Sequence, residues 1–266
     1  MDRDELLATA RAERESLGRT IQYANPERWD DPSACEGWRN RDVVAHLAAS
    51  DAGGALLIAG EAWPEADEHP EFDGFNDWAV ARRTDLPFRQ IVGDWGAAAD
   101  ALLVNASKVD VDDWSERTFT YFGDEWTVSD FVQMCVGEWW GHGEDIRSGV
   151  ELAPRVEHRP IWAVNDLAIR LLPRTLAETG RDYLGHSARF NLPGCGGGTW
   201  HVRLSAGPVP DDHKRPDVSI EAEAHAFALV AGRRISADML IDNGQMLLGG
   251  NEEIAYDILE NIRPYV

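Results

Sequence analysis

The most constraining feature of this sequence is a carboxylate and an imidazole on the apolar face of one predicted helix, residues 127–148. At the helical period, Glu138 and His142 lie one turn apart on the same side of that helix. Their neighbours on this face are large or apolar: Phe131, Cys135, Trp139 and Ile146. An isolated carboxylate is unstable on a core-facing stripe. Glu138 therefore needs a hydrogen-bonding partner, a counter-ion or a metal ion.

Three further long helices are predicted upstream, because apolar residues recur there at helical spacing. They cover residues 2–23, 41–59 and 87–107. Asn40 is a plausible N-cap of the second helix, and Pro87 is well placed as the first residue of the third. Thr127 with Asp130 resembles a capping box at the start of the fourth helix. Four long helices are thus expected in the first part of the chain.

Two connections separate these helices. Residues 60–86 carry prolines and several acids, which predicts a long connection with about one helical turn near its end. Residues 108–126 are turn-rich or form short strands. Arg82 and Arg83 stand out in the first connection, as does Asn76. Adjacent arginines are most often a solvated pair, and anion binding is the alternative.

The composition changes after residue 149, where alternating apolar and polar residues replace the helical pattern. A linking helix over residues 158–179 is followed by strand-like segments, a helix, a short strand and a last helix. The three strand-like segments are residues 187–192, 199–205 and 217–224. The helix covers residues 225–233, the short strand residues 245–250 and the last helix residues 251–262. The sequence therefore predicts two domains, residues 1–154 and 155–266.

Charge and cysteine content exclude several classes of protein. Forty-seven acidic residues against 25 basic ones give a net charge of −22, which argues against nucleic acid and anionic membranes as partners. No run of about eighteen apolar residues exists, and the N-terminus is charged, so a cytoplasmic protein is expected. Cys35, Cys135 and Cys195 are widely spaced and are expected to be reduced thiols. A disulfide framework is therefore not expected.

Three other motifs leave choices open. His46 lies at the edge of the apolar face of the second helix, where a core histidine is common and a ligand is the alternative. Cys135 lies on the Glu138 side of its helix, and packing is favoured over a reactive thiol. The glycine cluster at residues 194–198 lacks the Lys-Ser/Thr ending of a phosphate loop, which favours a turn. No G-x-S-x-G elbow is present.

Two motifs together carry a family resemblance. GWRNRDVVAHLA on the second helix and GEWWGHGEDI on the fourth resemble the DinB-like, metal-dependent four-helix-bundle proteins. More specifically, the sequence resembles the mycothiol-dependent maleylpyruvate isomerase family. The resemblance implies an α plus α/β fold class: an N-terminal DinB-like four-helix bundle, then a small α+β domain resembling sterol carrier proteins. It also implies that His46, Glu138 and His142 hold zinc.

This ligand set implies a catalytic metal. Two imidazoles and one carboxylate leave a fourth position of Zn²⁺, or of another divalent metal, open. A thiol bound there becomes a thiolate at neutral pH and attacks an electrophile. The resemblance implies mycothiol as the thiol cosubstrate, and either an isomerase or an S-transferase. Asp145 is a candidate second-shell hydrogen-bond partner for a ligand imidazole, or an ordinary carboxylate on the helix face.

An anionic substrate such as maleylpyruvate needs cationic anchors. Gly232-Arg233 resembles a recurrent Gly-Arg of the family's second domain, so Arg233 is the first candidate anchor and is counted with the catalytic residues. Arg82, Arg83 and Asn76 are further candidate substrate contacts. The expected partners are a small-molecule thiol and an electrophile. The acidity of the chain and the insertion at residues 60–73 leave the electrophile and the oligomeric state open.

Two other functions fit the same residues. One is a zinc-binding regulatory or binding protein without turnover, in which a fourth ligand such as Cys135 closes the site. The other is a hydrolase that uses zinc-bound water.

Overall fold

Six α-helices and one β-hairpin form the first unit of the computed structural model, which describes residues 1–205 and 215–264. This unit spans Met1–Arg155. Its helices are α1 (Arg3–Tyr23), α2 (Asn40–Ala59), α3 (Pro64–Glu68), α4 (Phe72–Ala81), α5 (Phe88–Ser107) and α6 (Val128–Gly149). The antiparallel hairpin consists of β1 (Thr118–Tyr121) and β2 (Asp124–Thr127). The four long helices α1, α2, α5 and α6 enclose one core, since α2 packs on α5, α1 on α6, and α2 on α6.

The four predicted helices are confirmed, and each boundary differs by at most one residue from the prediction. The N-cap of α2 is Arg39, however, and the assignment to Asn40 was wrong. Asp42 Oδ2 accepts the Arg39 backbone N–H at 2.9 Å, while Asn40 Nδ2 donates to the Arg28 carbonyl at 2.9 Å. Pro87 likewise precedes α5 as its N-cap. Thr127 caps α6 as predicted and accepts the Asp130 N–H at 3.0 Å.

The connection between α2 and α5 contains more helix than the sequence indicated. Its ten-residue helix α4 buries Phe75 and Ala79, which lie one turn apart, and packs against α2. The short helix α3 begins at Pro64, whose fixed φ suits a first helical position. The expectation of a single helical turn was therefore wrong, because proline and acidic residues masked a short amphipathic segment.

A small residue on α2 allows close contact with α6. A Cβ atom at Gly54 would lie 2.7 Å from the Phe131 ring, which is too near for any real side chain. The Phe131 ring itself is 1% exposed, and it fills the space left by this glycine. The two helices that carry the candidate site residues are thus held close together.

The second unit begins at Val156 and is an α+β structure. Its helices are α7 (His158–Glu178), α8 (Ala224–Ala231), α9 (Ala237–Asp242) and α10 (Glu252–Asn261). Its strands are β3 (Ser187–Leu192), β4 (Gly198–Arg203), β5 (Val218–Ala222) and β6 (Met246–Gly250). The sheet order is β4-β3-β5-β6, in which only the central pair β3–β5 is parallel among the described strands. The last two residues of the predicted second domain, 265 and 266, lie outside the described residues.

One face of this sheet is covered by helices. Along β3, Ala188, Phe190 and Leu192 are buried, in alternation with more accessible residues. Helix α7 contacts α8, α10 and β4, and α10 also contacts β5 and β6. The short helix α9 was not predicted, because six residues give too few turns for a periodic signal. The α plus α/β fold class is confirmed.

Helix α2 is long and apolar enough to cross a membrane by length and composition. In the structure, however, 72% of this apolar window is buried inside the protein. Val43, Val44 and Leu47 are each at most 1% exposed. Helix α2 is therefore the central core helix of the bundle.

Candidate metal centre

Three donor side chains from two helices meet inside the bundle, and we call them the first donor set: His46 on α2, with Glu138 and His142 on α6. Glu138 Oε2 lies 3.4 Å from His46 Nε2 and 3.4 Å from His142 Nε2. The side chains are 3%, 16% and 12% exposed, respectively. The three residues that the sequence singled out as ligands are thus brought together in a largely buried place.

The donor spacing fits one small cation. In a tetrahedral zinc site, bonds to nitrogen and oxygen of about 2.0–2.1 Å put neighbouring donor atoms about 3.3 Å apart. Both measured nitrogen–oxygen separations, 3.4 Å, agree with that spacing. All three ligand atoms lie within 4.8 Å of one another. Two imidazoles and a carboxylate are also the donor types that zinc accepts, so the residues fit a divalent metal.

The electrostatics of the first donor set show what holds the buried charge. Burial acts to raise the pKa of Glu138, but hydrogen bonds from His142 and His46 outweigh it and keep that pKa below its ordinary value. Burial lowers the pKa of His46, which favours a neutral, lone-pair-bearing ring. Glu138 is therefore ionised, as a metal ligand must be.

Two polar residues contact the outer nitrogens of the imidazoles. Asn76 Oδ1, on α4, lies 3.0 Å from His46 Nδ1, and Asp145 Oδ2 lies 2.9 Å from His142 Nδ1. Acceptors in these positions hold a proton on each Nδ1, so Nε2, which faces Glu138, is the nitrogen that exchanges its proton for a bound cation. Asn76 was predicted as a substrate contact, whereas the structure gives it the same relation to His46 that Asp145 has to His142.

The segment before α2, residues 35–38, covers the site with Trp38 and Cys35, and we call it the Trp38 segment. The Trp38 ring lies 5.2 Å from the His46 ring, centroid to centroid. Cys35 Sγ lies 3.8 Å from His142 Nδ1 and 3.3 Å from Asp145 Oδ2. Sequence reasoning treated Cys35 only as a reduced thiol, because no periodic pattern links a loop residue to a helix more than 100 positions later.

Asp51 is a buried acid that sequence reasoning missed. It lies on α2, is 3% exposed, and accepts the Trp139 indole N–H at 2.9 Å through Oδ2. Burial raises its pKa from 3.8 to about 8, even though the Trp139 hydrogen bond acts in the opposite direction. This bond joins the helix of His46 to the residue next to Glu138. The sequence signal that could have identified Asp51 is an acidic residue on the apolar face of a predicted helix.

Cys135 is packed in the core, at 3% exposure. Burial raises the pKa of its thiol well above the ordinary value, so the group stays protonated. Among the described residues, Cys135 belongs to neither group of three close metal-binding side chains. This environment agrees with the packing role favoured from the sequence.

Arg82 and Arg83 lie at the C-terminal end of α4. The Arg82 guanidinium lies 4.7 Å above the centre of the Trp78 ring, a cation–π contact. Arg83 Nη1 donates to the Ala79 carbonyl at 3.1 Å, and burial lowers the Arg83 pKa. Both side chains thus contact their own helix, and their role toward a substrate stays a prediction.

Arg233 lies just after the end of helix α8 in the second unit. Its φ of 61° is left-handed, a conformation that favours glycine. Nη1 donates to the Leu259 carbonyl at 3.1 Å, and Nη2 donates to the Glu260 carbonyl. These acceptors belong to the last turn of α10, whose carbonyls lack helical partners. Arg233 also borders a surface groove of about 660 Å³. The side chain therefore joins α8 to α10, and anchoring of a substrate stays a prediction.

Two substitutions of Arg233 distinguish the contribution of its side-chain hydrogen bonds to stability from the cost of its left-handed backbone. Arg233→Ala should destabilise the second unit by about 1–2 kcal/mol, because two carbonyls lose a charged donor. Arg233→Gly loses the same bonds but relieves the left-handed backbone, so it should be about 1 kcal/mol more stable than Arg233→Ala. Hydrogen exchange of the α10 amides measures both effects. Equal exchange in the two variants would show that the left-handed backbone at Arg233 costs no stability. Wild-type exchange in both variants would show that the Arg233 side chain does not join α8 to α10.

A four-helix bundle with a candidate three-donor metal site, followed by a small α+β unit, defines a class of metal-binding helical-bundle proteins. Within that class, the family model described as the mycothiol maleylpyruvate isomerase N-terminal domain matches residues 10–147, more than half of the chain. The chain therefore belongs to this family, and the resemblance seen in the sequence is confirmed. The matched region contains the whole first donor set.

Two solved structures resemble the whole chain. One is mycothiol-dependent maleylpyruvate isomerase, with 17% identity and a TM-score of 0.60. The other is a histidine-to-alanine variant of mycothiol-dependent maleylpyruvate isomerase, with 18% identity and a TM-score of 0.63. Each match covers 89% of this chain and 91% of the other. At such identity the likeness shows the shared fold. No curated protein sequence matches this chain significantly.

Proposed function

We propose that this protein is a metal-dependent isomerase that uses a low-molecular-weight thiol, mycothiol, to convert a cis-unsaturated dicarboxylate of the maleylpyruvate type into its trans isomer. The observation that carries the proposal is the first donor set, in a chain that belongs to the mycothiol maleylpyruvate isomerase family. Zn²⁺ is the preferred metal, because the donors are two imidazoles and one carboxylate with nitrogen–oxygen separations of 3.4 Å. When bound, such an ion lowers the pKa of a thiol and supplies a thiolate at neutral pH.

The protein's own residues would prepare the site in three ways. His46, Glu138 and His142 would hold the cation, with room for the thiol beside it. Asn76 and Asp145 fix the two imidazole rings with the proton on Nδ1, so that Nε2 is the donor atom. Buried residues of α4, including Asn76, and the Trp38 ring beside His46 keep water from competing with the thiol.

The isomerisation needs an addition and an elimination. The thiolate adds to one carbon of the double bond, the resulting single bond rotates, and elimination of the same thiolate restores the double bond in the trans form. No atom is gained or lost. An S-transferase would stop after the addition and protonate the adduct. The family and the names of the two similar structures favour the isomerase.

An anionic substrate requires a nearby cation, because a net charge of −22 repels acids at long range. Arg233, Arg82 and Arg83 are the proposed contacts, with a guanidinium that can bind a carboxylate by two hydrogen bonds. Arg83 lies two residues beyond the end of α4, the helix that also carries Asn76.

The decisive experiment measures turnover of maleylpyruvate by the zinc-loaded protein with and without mycothiol. We expect thiol-dependent formation of the trans isomer, and a loss of about 100-fold or more in kcat/KM for His46→Ala, since even partners of metal ligands contribute 10–100-fold. His201→Ala, an exposed histidine in β4, is the matched control.

Other outcomes would replace the proposal. A stable thiol adduct would indicate an S-transferase, and hydrolysis without thiol would indicate a zinc hydrolase. Bound metal without any turnover, across a panel of electrophiles, would indicate a binding or regulatory protein.

A further inference from the structure

A second group of metal-binding side chains lies beside the first donor set and shares one residue with it. Cys35, His142 and Asp145 bring a thiol, an imidazole and a carboxylate within 4.8 Å of one another, and we call them the second donor set. They use Nδ1 of His142, the nitrogen on the far side of the ring from Glu138. One imidazole thus stands between two groups of donors.

The spacing of the second donor set also fits one cation. Zinc bonds of about 2.3 Å to sulfur and 2.0–2.1 Å to nitrogen or oxygen predict separations of about 3.6 Å to sulfur and 3.3 Å between nitrogen and oxygen. Cys35 Sγ lies 3.8 Å from His142 Nδ1 and 3.3 Å from Asp145 Oδ2. His142 Nδ1 lies 2.9 Å from Asp145 Oδ2. Small side-chain adjustments would bring all three donors to bonding distance.

We propose that Cys35, His142 and Asp145 form an inhibitory site for a thiophilic divalent cation, which competes with the first donor set for the ring of His142. The sulfur donor sets its preference, because soft cations such as Cd²⁺ bind thiolate more strongly than carboxylate and imidazole alone. Cys35 is partly exposed, whereas Asp145 is 4% exposed. The cation therefore enters from the side of the Trp38 segment, past the thiol.

Competition follows from the chemistry of one neutral imidazole. A cation in the first donor set needs the lone pair of Nε2 and leaves the ring proton on Nδ1. A cation in the second donor set needs the lone pair of Nδ1, so the ring proton moves to Nε2 and the Cys35 thiol releases its proton to solvent. The first donor set is then reduced to His46 and Glu138. Two protein ligands hold zinc far less well than three.

The inhibitory part of this proposal rests on the proposed function, whereas the binding part does not. Cd²⁺ is the probe, because a cadmium–thiolate bond has an ultraviolet charge-transfer band that nitrogen and oxygen ligands lack. The full-length protein is titrated with Cd²⁺ under reducing conditions, once without metal and once loaded with one equivalent of Zn²⁺. Zinc release is followed with a coloured chelator.

In the wild type we expect a thiolate band that saturates near one equivalent and, in the zinc-loaded protein, grows in step with zinc release. Cys35→Ser should weaken Cd²⁺ binding at the second donor set by at least 100-fold. Cys195→Ser, which alters another partly exposed cysteine, should leave it unchanged. His46→Ala should keep the band although it disrupts the first donor set, and His142→Ala should lose it.

Several results would overturn the proposal. A band that persists in Cys35→Ser, or that disappears in Cys195→Ser, would assign the thiolate elsewhere. A band that forms while zinc stays bound would exclude competition for His142. Circular dichroism checks that each variant folds, and His46→Asn replaces His46→Ala if the alanine variant does not. If His46→Ala keeps the cadmium band but the wild type lacks turnover, the second site stands and the proposed function fails.

Discussion

Replacing Glu138 with leucine is expected to abolish metal binding by the first donor set while the bundle stays folded. Leucine continues the apolar face of α6 formed by Phe131, Cys135 and Trp139, which are all at most 3% exposed. A buried carboxylate contributes little net stability, so its replacement by an apolar side chain of similar size is tolerated. The two remaining imidazoles hold a divalent cation poorly.

Thermal unfolding with and without zinc measures this effect. A ligand at 1,000 times its Kd stabilises a folded protein by about 4 kcal/mol. The wild type should show a stabilisation of this order, and Glu138→Leu should lose most of it, with unchanged helical content. Glu116→Leu, an exposed glutamate outside the site, should respond to zinc like the wild type. Loss of helical content in Glu138→Leu would instead show that the carboxylate is needed for the fold.

Replacing Asp51 with asparagine is expected to stabilise the metal-free protein increasingly as the pH rises. Burial raises the Asp51 pKa from 3.8 to about 8, so between these values the folded state holds a proton that the unfolded state has lost. The unfolded state then binds fewer protons, and the free energy of unfolding falls with rising pH. At about 1.4 kcal/mol per pH unit, the upper bound of this loss is roughly 5 kcal/mol at pH 8.

Asparagine removes the titration but keeps an oxygen that can accept the Trp139 N–H. Chemical denaturation at pH 5, 6, 7 and 8 in the presence of a chelator gives the difference between Asp51→Asn and wild type. We expect that difference to grow by several kcal/mol in favour of asparagine over this range. Asp77→Asn, an exposed aspartate on α4, should show no such trend. A difference that is constant with pH would contradict a raised Asp51 pKa.

The long helices and the candidate ligand pair on α6 could be predicted because they depend on local periodicity. Glu138 and His142 lie on one face at any helical geometry, so their proximity needs no tertiary information. The involvement of His46 rested on family resemblance, since its position relative to Glu138 depends on how α2 packs against α6. Close packing at Gly54 is part of that geometry, and no local pattern encodes it.

Other residues could not be found from local patterns. Asn40 has good N-cap chemistry, yet the hydrogen bond between Asp42 and Arg39 starts the helix one residue earlier. Cys35 lies in an irregular segment, so its approach to Asp145 depends on the path of the loop. From the sequence, Asp51 is only an acidic residue on a predicted helix. The packing of α6 against α2 is what buries it against Trp139.

The sequence distance between the two helices of the first donor set affects how the protein matures. His46 and Glu138 are 92 positions apart, so their contact closes a very long loop. Contacts of this kind form only when most of the chain has collapsed. A chain still lacking α6 during synthesis offers only one member of the first donor set, His46, and cannot retain the ion. Under the proposed function, the metal ion is therefore acquired late, after α6 has been synthesised.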